Sequence, residues 1–190
     1  MKTEIEARLL NVDVDDFIFK LRKAKAKFVG DWLQIRQCYD FNPVNENKWI
    51  RLRTNGKVTT ITIKEIGSAK IDGTKELEFN VPDFETGDEF LNKLGYFART
   101  KQENRRIQYV LDEVEIDIDF WPHLPTYVEF EAETEQLIIN VCKKLGINYS
   151  KLTTIDNDSL YKKYGIDVKH TPFLDLEDER KEIAKELLKG

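Results

Sequence analysis

The run Trp49-Ile50-Arg51-Leu52-Arg53-Thr54-Asn55-Gly56-Lys57-Val58-Thr59-Thr60-Ile61-Thr62-Ile63-Lys64 decides the fold. On both sides of Asn55-Gly56, apolar and polar residues alternate with period two, the spacing of a β-strand with two unlike faces. The Asn-Gly pair accepts the positive φ angles of a tight turn, so the run reads as a hairpin. Similar alternation recurs over residues 4–9, 34–41, 76–81, 106–111, 114–120 and 127–132. So many short alternating segments predict an antiparallel sheet or barrel.

Amphipathic helical stretches separate the strands. Asp13 opens one with Phe17, Leu21, Ala24 and Phe28 on a single face, and Gly30 is expected to close it. Thr86 and Glu89 read as a capping box ahead of Phe90, Leu91 and Leu94, with Gly95 as the stop. Thr134 precedes Leu137, Ile138, Val141 and Leu145, stopped by Gly146. A short helix over 156–164 and a charged one over 175–188 follow, and no repeat of solenoid period is present. The class is therefore α+β, with one domain over 1–170 and residues 171–190 as its C-terminal helical extension.

Composition limits the function. The chain has 190 residues, enough for one substantial core, and its 30 Lys plus Arg against 35 Asp plus Glu give a net charge of −5. This mild acidity argues against a nucleic-acid polymer or a membrane surface as partner, since both call for a basic excess. Glu4 and Glu6 stand where a secretory signal would be apolar, and no run approaches the roughly 18 residues of a membrane span, so a cytoplasmic location is expected. Cys38 and Cys142 have no metal-type spacing and read as reduced core thiols. His123 and His170, beside Pro122 and Pro172, read as turn residues rather than bases.

The polar strand faces are not a random solvent-facing mixture. They carry Glu4, Glu6 and Arg8; Arg51 and Arg53; Thr60, Thr62 and Lys64; Glu76 and Glu78; Glu113, Glu115, Asp117 and Asp119; and Glu129, Glu131 and Glu133. The intervening residues, from Ile5 through Leu77 and Phe79 to Phe130, form an apolar set for the helices to cover. Like charges repeated along one strand repel unless opposite charge lies between them. Clustered carboxylates suit hard divalent cations such as Mg²⁺ or Mn²⁺, and paired basic residues suit a many-oxygen anion such as phosphate. A metal-chelated polyphosphate satisfies both groups at once.

These motifs resemble the triphosphate tunnel metalloenzymes, also described as the CYTH domain, a family of class IV adenylyl cyclases, thiamine triphosphatases and inorganic tripolyphosphatases. The likeness runs over about residues 2–165. It rests on Glu4-Ile5-Glu6-Ala7-Arg8, Arg51-Leu52-Arg53, Thr62-Ile63-Lys64, Glu76-Leu77-Glu78, Arg105-Arg106, Asp117-Ile118-Asp119 and Glu129-Phe130-Glu131. The resemblance implies a closed antiparallel eight-stranded β-barrel, a tunnel with a charged inner wall and helices packed outside. It implies a metal-binding set of Glu4, Glu6, Asp117, Glu129 and Glu131. It also implies a triphosphate grip from Arg8, Arg51, Arg53, Lys64, Arg105 or Arg106, and Lys151, with Asp119, Glu76 and Glu78 as further tunnel carboxylates. Arg8 departs from the family pattern, which has lysine there; arginine keeps the charge but cannot exchange a proton near neutral pH.

Phosphoryl transfer needs charge neutralisation and in-line positioning more than a reactive side chain. The expected activity is hydrolysis of the terminal phosphate of a small triphosphate, inorganic or organic, with Glu4, Glu6, Lys64 and Asp119 taking part in the chemistry. Formation of cyclic AMP and pyrophosphate from ATP is the alternative, and polyphosphate binding without turnover is a further one. The residues carry no signature of oligomeric state, and the resemblance implies that a homodimer is among the arrangements to test.

Overall fold

The computed structural model describes residues 1–68 and 70–176, with Lys2 and Glu4 described by backbone alone. The strands are β1 (Lys2–Leu9), β2 (Lys27–Asn45), β3 (Lys48–Thr54), β4 (Thr59–Ile66), β5 (Thr74–Val81), β6 (Ala98–Leu111), β7 (Val114–Phe120), β8 (Tyr127–Ala132) and the short β9 (Phe173–Leu174). The helices are α1 (Val14–Lys23), α2 (Phe84–Lys93), α3 (Glu135–Lys144) and α4 (Asn157–Lys163). The sheet has the order β2-β3-β4-β5-β1-β8-β7-β6, antiparallel throughout and curled, and β2 is also paired with β6 from Lys27↔Val110 to Tyr39↔Ala98. β9 adds to β6 in parallel.

Among the antiparallel ladders of the described residues the shortest is β1 with β5, from Lys2↔Glu76 to Glu4↔Thr74. Beyond it other segments take over the backbone groups of β1. The Glu6 N–H donates to the Ile71 carbonyl, and Arg8 and Thr153 exchange backbone hydrogen bonds of 2.7 and 2.9 Å. This matters for the site, because it brings residues 153–157 against the charged face of β1.

The helices cover the apolar face. Phe17 and Leu21 of α1 and Ile138 and Val141 of α3 pack with Ile116, Ile118, Val128 and Phe130. Leu91 of α2 packs with Leu52 and Ile61. Gly87 lets α2 sit this close, since a Cβ there would lie 2.7 Å from Leu52 Cδ1. α4 lies instead on the hollow's side, where Leu160 and Tyr161 join Trp121 and Tyr127 in a third cluster. Among the described residues no helix is long and apolar enough to cross a membrane.

Several local expectations are corrected. The first helix does not run to Gly30: it ends at Ala24, and Phe28 lies in β2 with its ring edge-on to Tyr109. The stop is Lys25, held at φ +61°, with the Ala26 N–H donating to Leu21 O and the Lys25 N–H to Arg22 O. That is the same terminating geometry that Gly95, Gly146 and Gly165 supply after the other helices. The cap of α2 is Asp83, whose carboxylate accepts from the Thr86 N–H at 2.7 Å, rather than Thr86. β2 and β6 are longer than the alternation indicates. Leu77 and Phe79 are 50% and 51% exposed, because the cluster under α2 takes in Val81 but stops short of them. Asp175 and Leu176 are not helical, and the rest of the expected 175–188 helix lies outside the described residues.

The left-handed region costs an L-residue about 1–2 kcal/mol. Glycine's greater freedom in the unfolded chain offsets about 0.5–1 kcal/mol of that gain. Lys25→Gly is therefore expected to raise stability by about 0.5–1 kcal/mol, and Gly95→Ala to lower it by about 1 kcal/mol. Urea midpoints measure both; a Lys25→Gly protein that unfolds at lower urea would contradict this account of the α1 terminus.

Candidate functional site

Side chains alternate across a strand, so the residues opposite the helix-covered face converge on a common hollow of about 1290 Å³. Register sorts its wall by charge. On β1, β8 and β7, Glu6 lies across from Glu131 and Glu131 across from Glu115. One step along, Arg8 lies across from Glu129 and Glu129 across from Asp117. On β2, β3 and β4, Arg36 lies across from Arg53, Cys38 from Arg51, and Trp49 from Lys64. An acidic arc therefore faces a basic one.

Arg106 of β6 ties the acidic arc together. Its Nε and Nη2 donate to both oxygens of Asp119, at 2.8 and 2.6 Å, a bidentate pair in register across β6 and β7. It also pairs with Asp117 and reaches Glu129 Oε1 at 3.4 Å. Asp119 is fully buried. Arg8 donates from Nε to Glu129 Oε2 at 2.6 Å and from Nη1 to the Ile155 carbonyl and Asn157 Oδ1, at 2.7 and 3.1 Å. Its guanidinium lies 5.4 Å from the Tyr127 ring centroid.

In the basic arc, Arg51 is 3.4 Å from Glu78 and 3.7 Å from Glu76, Lys64 pairs with Glu76, and Arg53 is 3.8 Å from Glu78. The Thr62 hydroxyl donates to Glu78 Oε2 at 2.5 Å. Arg53 is held well below the usual guanidinium range, first by Arg51 and then by burial. Such crowding of like charge favours a multivalent anion.

The two central carboxyls are driven apart. Burial would raise Glu129, but Arg8, Arg106 and Lys64 outweigh it and hold the group at about 2. Burial raises Asp117 to about 7; Arg106 opposes the rise, and Asp119, Glu129 and Glu115 add to it. Asp117 Oδ1 is buried with no hydrogen-bond partner. An oxygen-rich wall with a buried, unpartnered carboxylate oxygen fits a hard divalent cation in its donor chemistry. Among the described residues, however, no group of three or more His, Cys, Asp or Glu side chains is already arranged as a metal site. The neighbouring oxygens, Asp117 Oδ2 and both oxygens of Glu129, are engaged by Arg106 and Arg8, so a cation that used them would have to displace guanidinium contacts.

Of the sequence-expected residues, Glu6, Arg8, Arg51, Arg53, Lys64, Glu76, Glu78, Arg106, Asp117, Glu129 and Glu131 all line the hollow, and Asp119 lies behind Arg106. The adjacent pair Arg105-Arg106 is split by alternation: Arg105 turns to the other face, donating to both Asp31 oxygens at 2.9 and 2.8 Å, and does not line the hollow. Lys151 ends an exposed 3-10 turn and does not line it either. The Glu4 side chain lies outside the described ones. Cys38 and Cys142 are free thiols, both buried; Cys142 belongs to the core, whereas Cys38 lines the hollow. His123 and His170 are exposed, His170 beside Asp167 at 2.7 Å. Sequence reading missed Arg36, Gln34 and Asn104. Arg36 Nη2 donates to Gln34 Oε1 at 3.0 Å and to Asn104 Oδ1, with the guanidinium 4.5 Å from the Trp121 ring. Period-two spacing of Gln34, Arg36 and Cys38 was the available signal, blurred by the polar Gln37 on the opposite face.

The chain belongs to the CYTH domain family, whose profile matches residues 2–155. It is similar to the solved PH1012 protein from Pyrococcus horikoshii OT3, at 25% identity and TM-score 0.70, covering 83% of this chain and 98% of that one. A candidate adenylate cyclase from Vibrio parahaemolyticus superposes with TM-score 0.71 at 13% identity, over 85% of this chain and 98% of that one. HpAC1 from Hippeastrum, described as a candidate adenylyl cyclase with a dominant triphosphatase activity, gives TM-score 0.61 at 14% identity, over 86% and 96%. No curated protein matches the chain.

A carboxyl held below its unfolded value contributes stability above pH 4.5, and that contribution is lost as pH falls toward 2. For Glu129 it is of order 3 kcal/mol at neutral pH. Glu129→Gln, which leaves Arg8 buried beside a neutral group, is expected to cost about 3 kcal/mol at pH 7, with the gap to wild type narrowing steadily below pH 4.5. Urea unfolding at pH 7 and pH 3.5 measures it; a gap independent of pH would contradict the Arg8–Glu129 assignment.

Proposed function

We propose that this protein is a divalent-metal-dependent phosphohydrolase that removes the terminal phosphate of a triphosphate, inorganic tripolyphosphate or an organic one. On this reading the curled strands enclose the charged hollow as a closed eight-stranded tunnel, formed by residues 1–170 with 171–190 as an extension. The observation that carries the reading is the facing of the acidic arc, Glu6, Glu131, Glu115, Glu129 and Asp117, by the basic arc, Arg51, Arg53 and Lys64, across one cavity.

Glu6, Asp117, Glu129 and Glu131, with Glu4, would hold Mg²⁺ or Mn²⁺. A divalent ion bound there would neutralise phosphate oxygens and lower the pKa of a water. Arg51 and Lys64 already share Glu76. A triphosphate would exchange that carboxylate for phosphoryl oxygens, and the pair would stabilise charge on the transferring and leaving groups. Asp119 and Arg106 would hold the acidic arc in place from behind.

Cyclisation of ATP is the second reading, supported by the fold similarity to the Vibrio parahaemolyticus and Hippeastrum proteins and by their descriptions. Non-catalytic polyphosphate binding is the third, kept by Arg8 at the family's lysine position, where a proton can no longer be exchanged. A small triphosphate as ligand, with neither nucleic acid nor membrane as partner, and a cytoplasmic location complete the proposal; a homodimer is an arrangement to be tested.

One assay separates these readings. The purified protein is incubated with tripolyphosphate, thiamine triphosphate or ATP, plus Mg²⁺ or Mn²⁺, and orthophosphate, pyrophosphate and cyclic AMP are quantified. Orthophosphate is expected as the main product, lost on chelation of the metal. Glu6→Gln is expected to lower kcat by about 100-fold or more with little change in Tm. Cyclic AMP as the dominant product, or matched losses of Tm and activity in the variant, would contradict the proposal.

A further inference from the structure

Arg36 differs in its partners from the other arginines of the hollow and from Lys64. Arg8, Arg51, Arg53, Lys64 and Arg106 each have a carboxylate within 4 Å. Among the described residues Arg36 has none. Its contacts are neutral: Gln34 Oε1, Asn104 Oδ1 and the face of Trp121. Both hydrogen bonds use Nη2, and Nε is buried without an acceptor although the residue is only 7% exposed. Burial, then Arg51 and Arg106, press the group down to about 10, with Asp119 opposing. A buried cation among other cations, with a donor left over, weakens the fold unless an anion arrives. Packing gives no reason for the charge, since an apolar chain of similar length would also fill β2 and lie against Trp121.

We propose that Arg36, together with Arg53 in register across β2 and β3, forms an anion subsite for a phosphoryl group, additional to the Arg51–Lys64 pair. This rests on the polyphosphate reading above and extends it. With one phosphoryl group at Arg51 and Lys64 and another at Arg36 and Arg53, the ligand is a chain of linked phosphates rather than a single orthophosphate. The planar guanidinium presents its unused N–H groups to two oxygens of one phosphoryl group, a contact that a neutral ligand end does not satisfy.

The test is calorimetric titration of the full chain with inorganic tripolyphosphate and with orthophosphate in metal-free buffer, alongside thermal melts without added phosphate. Wild type is expected to bind tripolyphosphate much more tightly than orthophosphate. Arg36→Met is expected to weaken tripolyphosphate at least tenfold while melting no lower than wild type. Arg36→Gln should behave alike, and Arg36→Lys should recover part of the affinity. Unchanged tripolyphosphate affinity in Arg36→Met and Arg36→Gln overturns the subsite alone. Affinity loss accompanied by a lower Tm in both variants also overturns it, in favour of a structural role for the Gln34–Arg36–Asn104 contacts. Failure of wild type to bind tripolyphosphate at all, with Ca²⁺ in the buffer as well as without it, overturns the polyphosphate reading and the subsite with it.

Discussion

Charge compensation across the concave side of the sheet is the constraint on which the rest of the structure depends. Asp119 is fully buried and Asp117 nearly so, and a buried carboxylate persists only with a cation at hydrogen-bond distance. Arg106 supplies it, gripping both oxygens of Asp119 and reaching Asp117 and Glu129. A one-residue slip of β6 against β7 would send Arg106 to the helix side and bring Ile107 opposite the carboxylates, so the ion pairs and the core select the same register. With that register fixed, α1 and α3 cover one side of the sheet and the charged hollow lies on the other.

Much of this is legible in the sequence because period two is a strict rule: Arg51 and Arg53 must share a face, as must Asp117 and Asp119. The register of the Asn55-Gly56 hairpin does not follow from a tight turn, which would set Arg51 across from Thr60: the loop takes residues 55–58, only Gly56 has a positive φ, and Arg51 lies across from Thr62, a two-residue shift that keeps every side chain on its face. What is not legible is set by neighbours remote in sequence. Alternation puts Arg105 on the face of Ile107 and Tyr109 and Arg106 on the other; that their partners are Asp31 on β2 and Asp119 on β7 is not written locally. Leu77 and Phe79 alternate like core residues, and only the placement of α2 leaves them half exposed. Lys25 takes a conformation that the usual glycine signal locates at Gly30, so the first helix ends earlier than that signal indicates. Arg36 sits on a strand polar on both faces, where alternation has little contrast.

Arg8 shows how one departure from a family pattern can be read physically. Its fork spans Glu129 of β8, the Ile155 carbonyl just ahead of α4 and Asn157, the first residue of α4, joining the acidic arc to the segment that follows the 3-10 turn. A lysine ammonium is a single point of charge and could not hold that planar set in the same way. The arginine therefore accounts for the seating of residues 153–157 at the edge of the hollow, a structural duty compatible with any of the three functional readings.

The central claim is that the charged hollow holds a divalent cation together with a chain of phosphates. A crystal structure of the protein soaked with tripolyphosphate and Mn²⁺, with an anomalous difference map, tests it most directly. The account predicts an anomalous peak against Asp117 and its neighbours Glu6, Glu129 and Glu131, with phosphate density reaching Arg51 and Lys64. Manganese and phosphate found on the outer surface alone would contradict it.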